Sequence, residues 1–154
     1  MSNGTNVRKR SGSVESLDLN KMHKIVDEAC KDLAGVSASQ VEINSGIQFY
    51  DGITTAEIQE ILIKSASDLI ELESPNYQFV AARLLLFGVR KKLWGRIHEA
   101  PSLGNHITKC IREGVYDPHF TSKYTDQEID ELDSYIDHDR DYLFTYACLL
   151  YTSP

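Results

Sequence analysis

The stretch VRKRSGSVESLDLNK, from Val7 to Lys21, decides how this chain is organised. Val7-Arg8-Lys9-Arg10 reads as a short strand and Ser11-Gly12-Ser13 as a tight turn. Val14 to Leu17 reads as the return strand, and Asp18 and Leu19 lead into a helix. A hairpin that feeds a helix N-terminus gathers anion-binding elements in one place. The strand brings Lys9 and Arg10. The helix start brings backbone N–H groups and a positive dipole end, and Lys21 lies one turn in. The stretch therefore predicts a phosphate site, against the plainer alternative that a run of charge is solvated surface.

Working outward, Leu19, Met22, Ile25, Val26, Ala29, Cys30 and Leu33 recur at helical spacing and predict an amphipathic helix over 19–34. Asp18 is its expected N-cap and Gly35 its stop. Ser37 to Gln40 has the form of a capping box opening a second helix, with Val41 and Ile47 inward. Asp51-Gly52 marks a turn. Thr54-Thr55-Ala56-Glu57 is a second capping box, opening a helix through Ile58, Ile61, Leu62, Ser65, Leu69 and Leu72 until Ser74-Pro75 ends it. Asn76 to Trp94 reads as a fourth helix with a basic end, Arg90-Lys91-Lys92, which suits the dipole at a helix C-terminus and competes with phosphate binding as the reason for Lys91.

Residues 6–95 thus form a mainly α unit of one hairpin and four helices, after a frayed tail at 1–5. The segment 96–147 predicts a helix over 101–114, a loop over 116–123, a helix opened by the capping box Thr125–Glu128, and a last helical turn over 142–147. Its apolar faces are too few to close a core of their own, so a packing partner further along a longer chain is expected.

The 154 residues are 42% hydrophobic and 25% charged, which is ordinary for a folded soluble domain. A formal net charge of −7 argues against a general nucleic-acid binder and makes a local basic cluster the more informative. No apolar stretch is long enough for a membrane span, and the polar N-terminus has no signal-peptide core. Cys30, Cys110 and Cys148 are odd in number and far apart. They suggest neither a disulfide framework nor a zinc site, and a reducing cytoplasm is the simplest compartment. Cys30 is expected to be a buried thiol.

Residues 6–95 resemble the ATP-cone, a small regulatory nucleotide-binding domain in which a short β-hairpin or small sheet caps a four-helix bundle. The resemblance rests on V-x-K-R-x-G-x-x-E at Val7, Lys9, Arg10, Gly12 and Glu15, followed by Lys21. With IQFYDGI (Ile47–Ile53), NYQFVAARLLLFGVRKK (Asn76–Lys92) and YIDHDRDYLFTYA (Tyr135–Ala147), the chain is similar to the N-terminus of the large subunit of class Ia ribonucleoside-diphosphate reductases, from about Val7 to Ala147. On that resemblance 96–147 is the start of the reductase's N-terminal helical region.

The resemblance implies an overall-activity site for ATP or dATP, with Mg2+, and partners in the radical-generating small subunit and other large subunits. It implies that Lys9 and Arg10 meet phosphates or frame the entrance, and that Glu15, Ser16, Leu17, Asp18, Leu19, Asn20 and Lys21 wrap the nucleoside. Asp18 would lie near the base and Lys21 on phosphate. Val7 and Met22 would give apolar contact to the base. Thr55 would donate to phosphate or ribose, and Lys91 would reach the phosphates.

Two positions depart from the family. Gln59 stands where a typical member has histidine, and Asp18 where familiar members have asparagine. An amide donates but cannot become a cation, and an ionised carboxylate only accepts. No cysteine sits in a matching catalytic context, so these residues are expected to reduce no ribonucleotide and to hold no redox cofactor.

The similarity stops at CLLYTSP, Cys148–Pro154, which is what a transposon-type sequencing adapter encodes in frame. Residues 148–154 are therefore expected not to be biological sequence, with a natural split gene as the competing reading. Two other functions compete with the reductase reading. A free-standing ATP-cone module of the repressor kind carries a four-cysteine zinc ribbon before the cone, and here six cysteine-free residues precede Val7. A helical interaction domain with a merely surface hairpin is the other.

Overall fold

A computed structural model describes residues 5–9 and 11–152. Arg10 and the 1–4 segment lie outside the described residues, as do 153 and 154. The chain is mainly α with one small sheet. Strand β1 (Asn6–Arg8) is central, with β2 (Val14–Ser16) antiparallel on one side and β3 (Ile53–Thr54) parallel on the other. The helices are α1 (Leu19–Cys30), α2 (Ala38–Gly46), α3 (Thr55–Ser67), α4 (Tyr77–Trp94), α5 (Leu103–Arg112), α6 (Phe120–Lys123), α7 (Asp126–Ser134) and α8 (Tyr146–Thr152). A 3-10 helix runs over His138–Leu143. No helix of the described residues is long and apolar enough to cross a membrane.

Two compact units divide the chain, 5–89 with 142–152, and 90–141. In the first, α4 supplies the middle of the core. Tyr77, Val80, Ala81, Ala82, Leu84 and Phe87 are all buried on it, and the alanines admit close neighbours. Val26 and Ala29 of α1, Val41 of α2, and Leu62 and Ala66 of α3 complete that core, and Val7 and Ile53 close it from the sheet.

The hairpin forms as the glycine requires. The Lys9 amide donates to Ser13 O at 2.8 Å, the Gly12 amide to Lys9 O at 2.9 Å, and Gly12 takes φ +84°. A left-handed residue at that position lets a short turn match the twist of its strands. Asp18 caps α1, accepting from the Lys21 amide at 3.0 Å. Both expected threonine capping boxes form, with Glu57 returning to Thr54 at 2.8 Å and Glu128 to Thr125 at 2.8 Å.

Other expectations are corrected. Helix α1 stops at Cys30, a turn before Ala34, because Arg83 of α4 donates to the carbonyls of Ala29 (3.1 Å) and Lys31 (2.6 Å) and so takes over the helix end. Ser37 makes no side-chain cap. Its amide donates to the Tyr77 hydroxyl at 3.0 Å, and that hydroxyl donates to Gln40 Oε1 at 2.6 Å. A buried tyrosine stands between the two residues expected to bond each other. Ile47 lies 83% exposed and Leu72 fully exposed, so neither points inward, and α3 ends at Ser67. Strand β3 was not expected, and the loop over 116–123 contains the short α6.

In the second unit Ile107 and Cys110 of α5 and Ile129 of α7 are buried, while Leu132, Tyr135 and Ile136 stay exposed. The basic end of α4 is not uniformly surface. Arg90 is buried, donating to Asp141 Oδ2 at 2.6 Å and His138 O at 3.2 Å, with Trp94 5.4 Å from its guanidinium.

Two outcomes follow from these contacts. Tyr77→Phe strands the Ser37 amide and should lower unfolding free energy by about 1–3 kcal/mol, read by denaturant titration; an unchanged midpoint would contradict the relay. The Glu57 carboxyl is held below its ordinary 4.5 chiefly by the Thr54 hydroxyl, and Glu128 chiefly by the Thr125 amide. A depressed carboxyl stabilises the fold above its unfolded value and ceases to do so as pH falls through the folded value. Thermal midpoints should therefore drop below pH 4.5, less steeply in Thr54→Ala with Thr125→Ala, and identical slopes would dismiss the boxes as the cause.

Candidate functional site

Strand alternation sets the first part of the site. Val7 pairs with Glu15 across the hairpin, and Lys9 lies two residues beyond Val7, so all three share one face. On that face Val7 is buried, and Lys9 Nζ meets Oε2 of the exposed Glu15 at 2.6 Å. The parallel pairing Val7↔Ile53 and Arg8↔Thr54 then brings a second element alongside. Lys9 and Thr55 each follow the last paired residue of adjacent parallel strands and leave the sheet at the same end. Thr55 is half-buried and begins α3.

The clamp that fixes this pairing is local to Asn6. Its amide and its side-chain nitrogen both donate to Asp51 Oδ1, at 2.8 and 2.9 Å, and its carbonyl accepts from the Gly52 amide at 2.8 Å. Gly52 has φ +84°, which the Asp-Gly turn supplies.

Gln59, one turn into α3, turns toward α4. Its Nε2 donates to Leu84 O at 2.7 Å, and the approach is open because residue 88 is glycine. A Cβ there would come within 3.3 Å of Gln59 Cγ. One amide N–H is thereby taken, and one N–H and the oxygen remain for other partners.

Three of the residues expected to wrap a nucleoside, Leu17, Leu19 and Asn20, line one open cavity of about 670 Å³ together with Met22, expected against the base. Sequence reasoning missed its opposite wall, Ser39, Glu42, Ile43 and Gly46 of α2, and Phe49 after it. No sequence motif marks that wall; in the structure Ile43, a large apolar residue, stands 65% exposed on it. His23 Nδ1 of α1 and Glu42 Oε1 of α2 lie in hydrogen-bond contact at 2.7 Å on this wall. Apolar walls with Asn20 and Ser39 as hydrogen-bonding groups suit a planar, partly polar guest.

The remaining expected residues are placed plainly. Ser16 is exposed at the end of β2, paired with Asn6, and Asp18 is occupied as the α1 cap. Lys21 is exposed in the first turn of α1 and is not part of the cavity wall. Lys91 is exposed on α4 within the second unit. Arg10 lies outside the described residues.

Among the described residues no group of three His, Cys, Asp or Glu side chains could hold a metal ion. Cys30 is half-buried rather than buried. Desolvation, then Asp27, push its thiol up to about 11, which leaves it protonated and unreactive near neutral pH. The arrangement offers cations, helix starts and an apolar cavity, which are means of binding.

Comparison with known proteins agrees. Residues 5–92 match the ATP cone domain. The chain is 48% identical over 143 residues to ribonucleoside-diphosphate reductase 1 subunit alpha of Escherichia coli (strain K12), covering 93% of this chain and 19% of that protein. It is 46% identical over 143 residues to the subunit alpha of Haemophilus influenzae, with the same coverage. Against that of Enterobacteria phage T4 it is 43% identical over 144 residues, 92% of this chain and 19% of the relative. The chain spans 19% of the length of each of these relatives. More than half of its residues lie in the family match, on the fold and hairpin described above: the chain belongs to the ATP-cone family.

Proposed function

We propose that this chain is the nucleotide-sensing N-terminal region of a ribonucleoside-diphosphate reductase large subunit, binding ATP or dATP as an allosteric effector. The observation that carries this reading is the hairpin stretch Val7–Met22, tied through β1 and β3 to the first residue of α3. In the scheme Lys9, Arg10, Lys21 and Lys91 hold phosphates with Mg2+. Thr55 donates to phosphate or ribose, and Gln59 adds its remaining amide groups. The nucleoside lies along Glu15, Ser16, Leu17, Asp18, Leu19 and Asn20, with Val7 and Met22 toward the base.

The domain boundaries 6–95 and 96–147, the small subunit and other large subunits as partners, and a cytoplasmic setting belong to the same proposal. So do an inert fragment and the absence of a redox cofactor from it. The reduction itself belongs to parts of the relatives that this chain does not span.

Lys9 is not idle without nucleotide. Its pair with Glu15 is about half exposed on each side, and such pairs contribute only about 0–1 kcal/mol. Hydrogen bonds to charged groups contribute about 1.5–3 kcal/mol, so a polyphosphate can displace Glu15 at a net gain. ATP and dATP differ by one hydroxyl, worth about 0.5–1.5 kcal/mol in a neutral hydrogen bond. Discrimination of that size becomes a switch only when coupled to two assembly states.

Calorimetric titration of the chain with ATP and dATP tests the reading. Both should bind saturably with Mg2+, and Lys9→Ala should weaken ATP by about 10–100-fold. No heat and no thermal shift with either nucleotide would contradict the function, and equal affinity of the Lys9→Ala chain would remove that residue from the site.

A further inference from the structure

We infer that the second unit carries a binding cleft for a small planar organic phosphate, using none of the residues assigned to ATP or dATP above. Two adjoining cavities form it, of about 550 and 280 Å³, sharing Leu93, Trp94, Pro101 and His106. Their sizes suit a ligand of one ring system or a mononucleotide. The larger has Lys92, Arg96 and Lys109 on its wall and no carboxylate. On a chain of net charge −7 that segregation makes a local positive field. The smaller is chiefly apolar, with Leu103 and Ile136 among its walls.

The features that could work against an anion are engaged elsewhere or partly neutralised. The C-terminal end of α4 would repel one, but Lys109 Nζ donates to the Leu93 carbonyl at 3.0 Å and partly neutralises it. An ammonium has three donors, so Lys109 keeps two. Arg96 pairs with Glu99 at 3.2 Å, through side chains 53% and 81% exposed, a contact that a phosphate readily exchanges. Asp133, on the smaller cavity, already accepts from the Leu103 amide at 2.9 Å.

The aromatic wall is held in place before any ligand arrives. The Arg90 guanidinium lies 5.4 Å from the Trp94 ring centre and is itself fixed by Asp141 at 2.6 Å. His138 meets the indole edge-on at 5.7 Å. A preset wall lowers the ordering cost of binding. The ring of the ligand lies against Trp94, Pro101 and Ile136, and its phosphate faces Lys92, Arg96 and Lys109.

Trp94 is the chain's single tryptophan, so its indole N–H resonance reports on the cleft without ambiguity. The whole chain is titrated with 2-naphthyl phosphate and, separately, with neutral 2-naphthol. The phosphate should shift that resonance saturably with a Kd of about 1 mM or below, and the naphthol at least about tenfold more weakly. Lys92→Glu with Arg96→Glu, both at exposed positions, should weaken the phosphate at least about tenfold, and Lys9→Ala should leave it unchanged. Should the charge-reversed chain not fold, Lys92→Gln with Arg96→Gln reads the same loss. A shift that does not saturate, equal binding of naphthol, or indifference to both double substitutions would overturn the inference. Calorimetry with ATP, sensitive to Lys9, reads the effector site separately.

Discussion

The structure depends on one clamp. Asn6 uses its amide, its side chain and its carbonyl to hold the Asp51-Gly52 turn. That contact fixes the parallel register of β1 against β3 across some forty-five residues of intervening chain, including β2, α1 and α2. A two-residue strand has too few ladder bonds to hold such a register alone. Once it is held, the hairpin sits over the start of α3, Val7 and Ile53 close the core, and Lys9 and Thr55 leave the sheet together.

The electrostatics of the site follow from this arrangement. Each helix start near the hairpin has a carboxylate in place, Asp18 on α1 and Glu57 on α3, and Lys9 has Glu15. The cations of the hairpin are therefore locally balanced rather than bare, and under the proposed function a phosphate would displace exposed, low-value pairs. Small net changes of this kind suit a sensor, whose affinity must lie near effector concentrations so that occupancy can vary. The strongly held polar contacts, such as Tyr77 with Ser37 and Gln40, and Arg83 on the end of α1, lie in the scaffold.

Much of this was legible in the sequence wherever the cause was local. Gly12 in a tight turn, Asp18 before Leu19, and the two threonine capping boxes are decided by residues within three or four positions of one another, and all form as expected. What was not legible came from distant contacts. Strand β3 exists because β1 offers it a partner, and α1 ends early because Arg83 arrives from α4. The Ser37–Gln40 box yields to a tyrosine thirty-seven residues beyond Gln40. The α2 wall of the cavity was missed because Ser39, Glu42, Ile43 and Gly46 carry no recognisable motif and acquire meaning only opposite Leu17 and Met22. Of the basic run at the end of α4, Arg90 recurs at helical spacing with Leu86 and Phe87 and is buried while Lys91 and Lys92 are exposed; its partner Asp141 is the distant contact that sequence did not show.

The central claim is that the hairpin, the start of α1 and the start of α3 act as one nucleotide-binding assembly. Amide hydrogen exchange with and without ATP and Mg2+ tests it most directly, because it reads every backbone segment at once. The account predicts slowed exchange over Val7–Met22 and around Thr55. Unaltered exchange across the hairpin and α3 start at saturating ATP would contradict it.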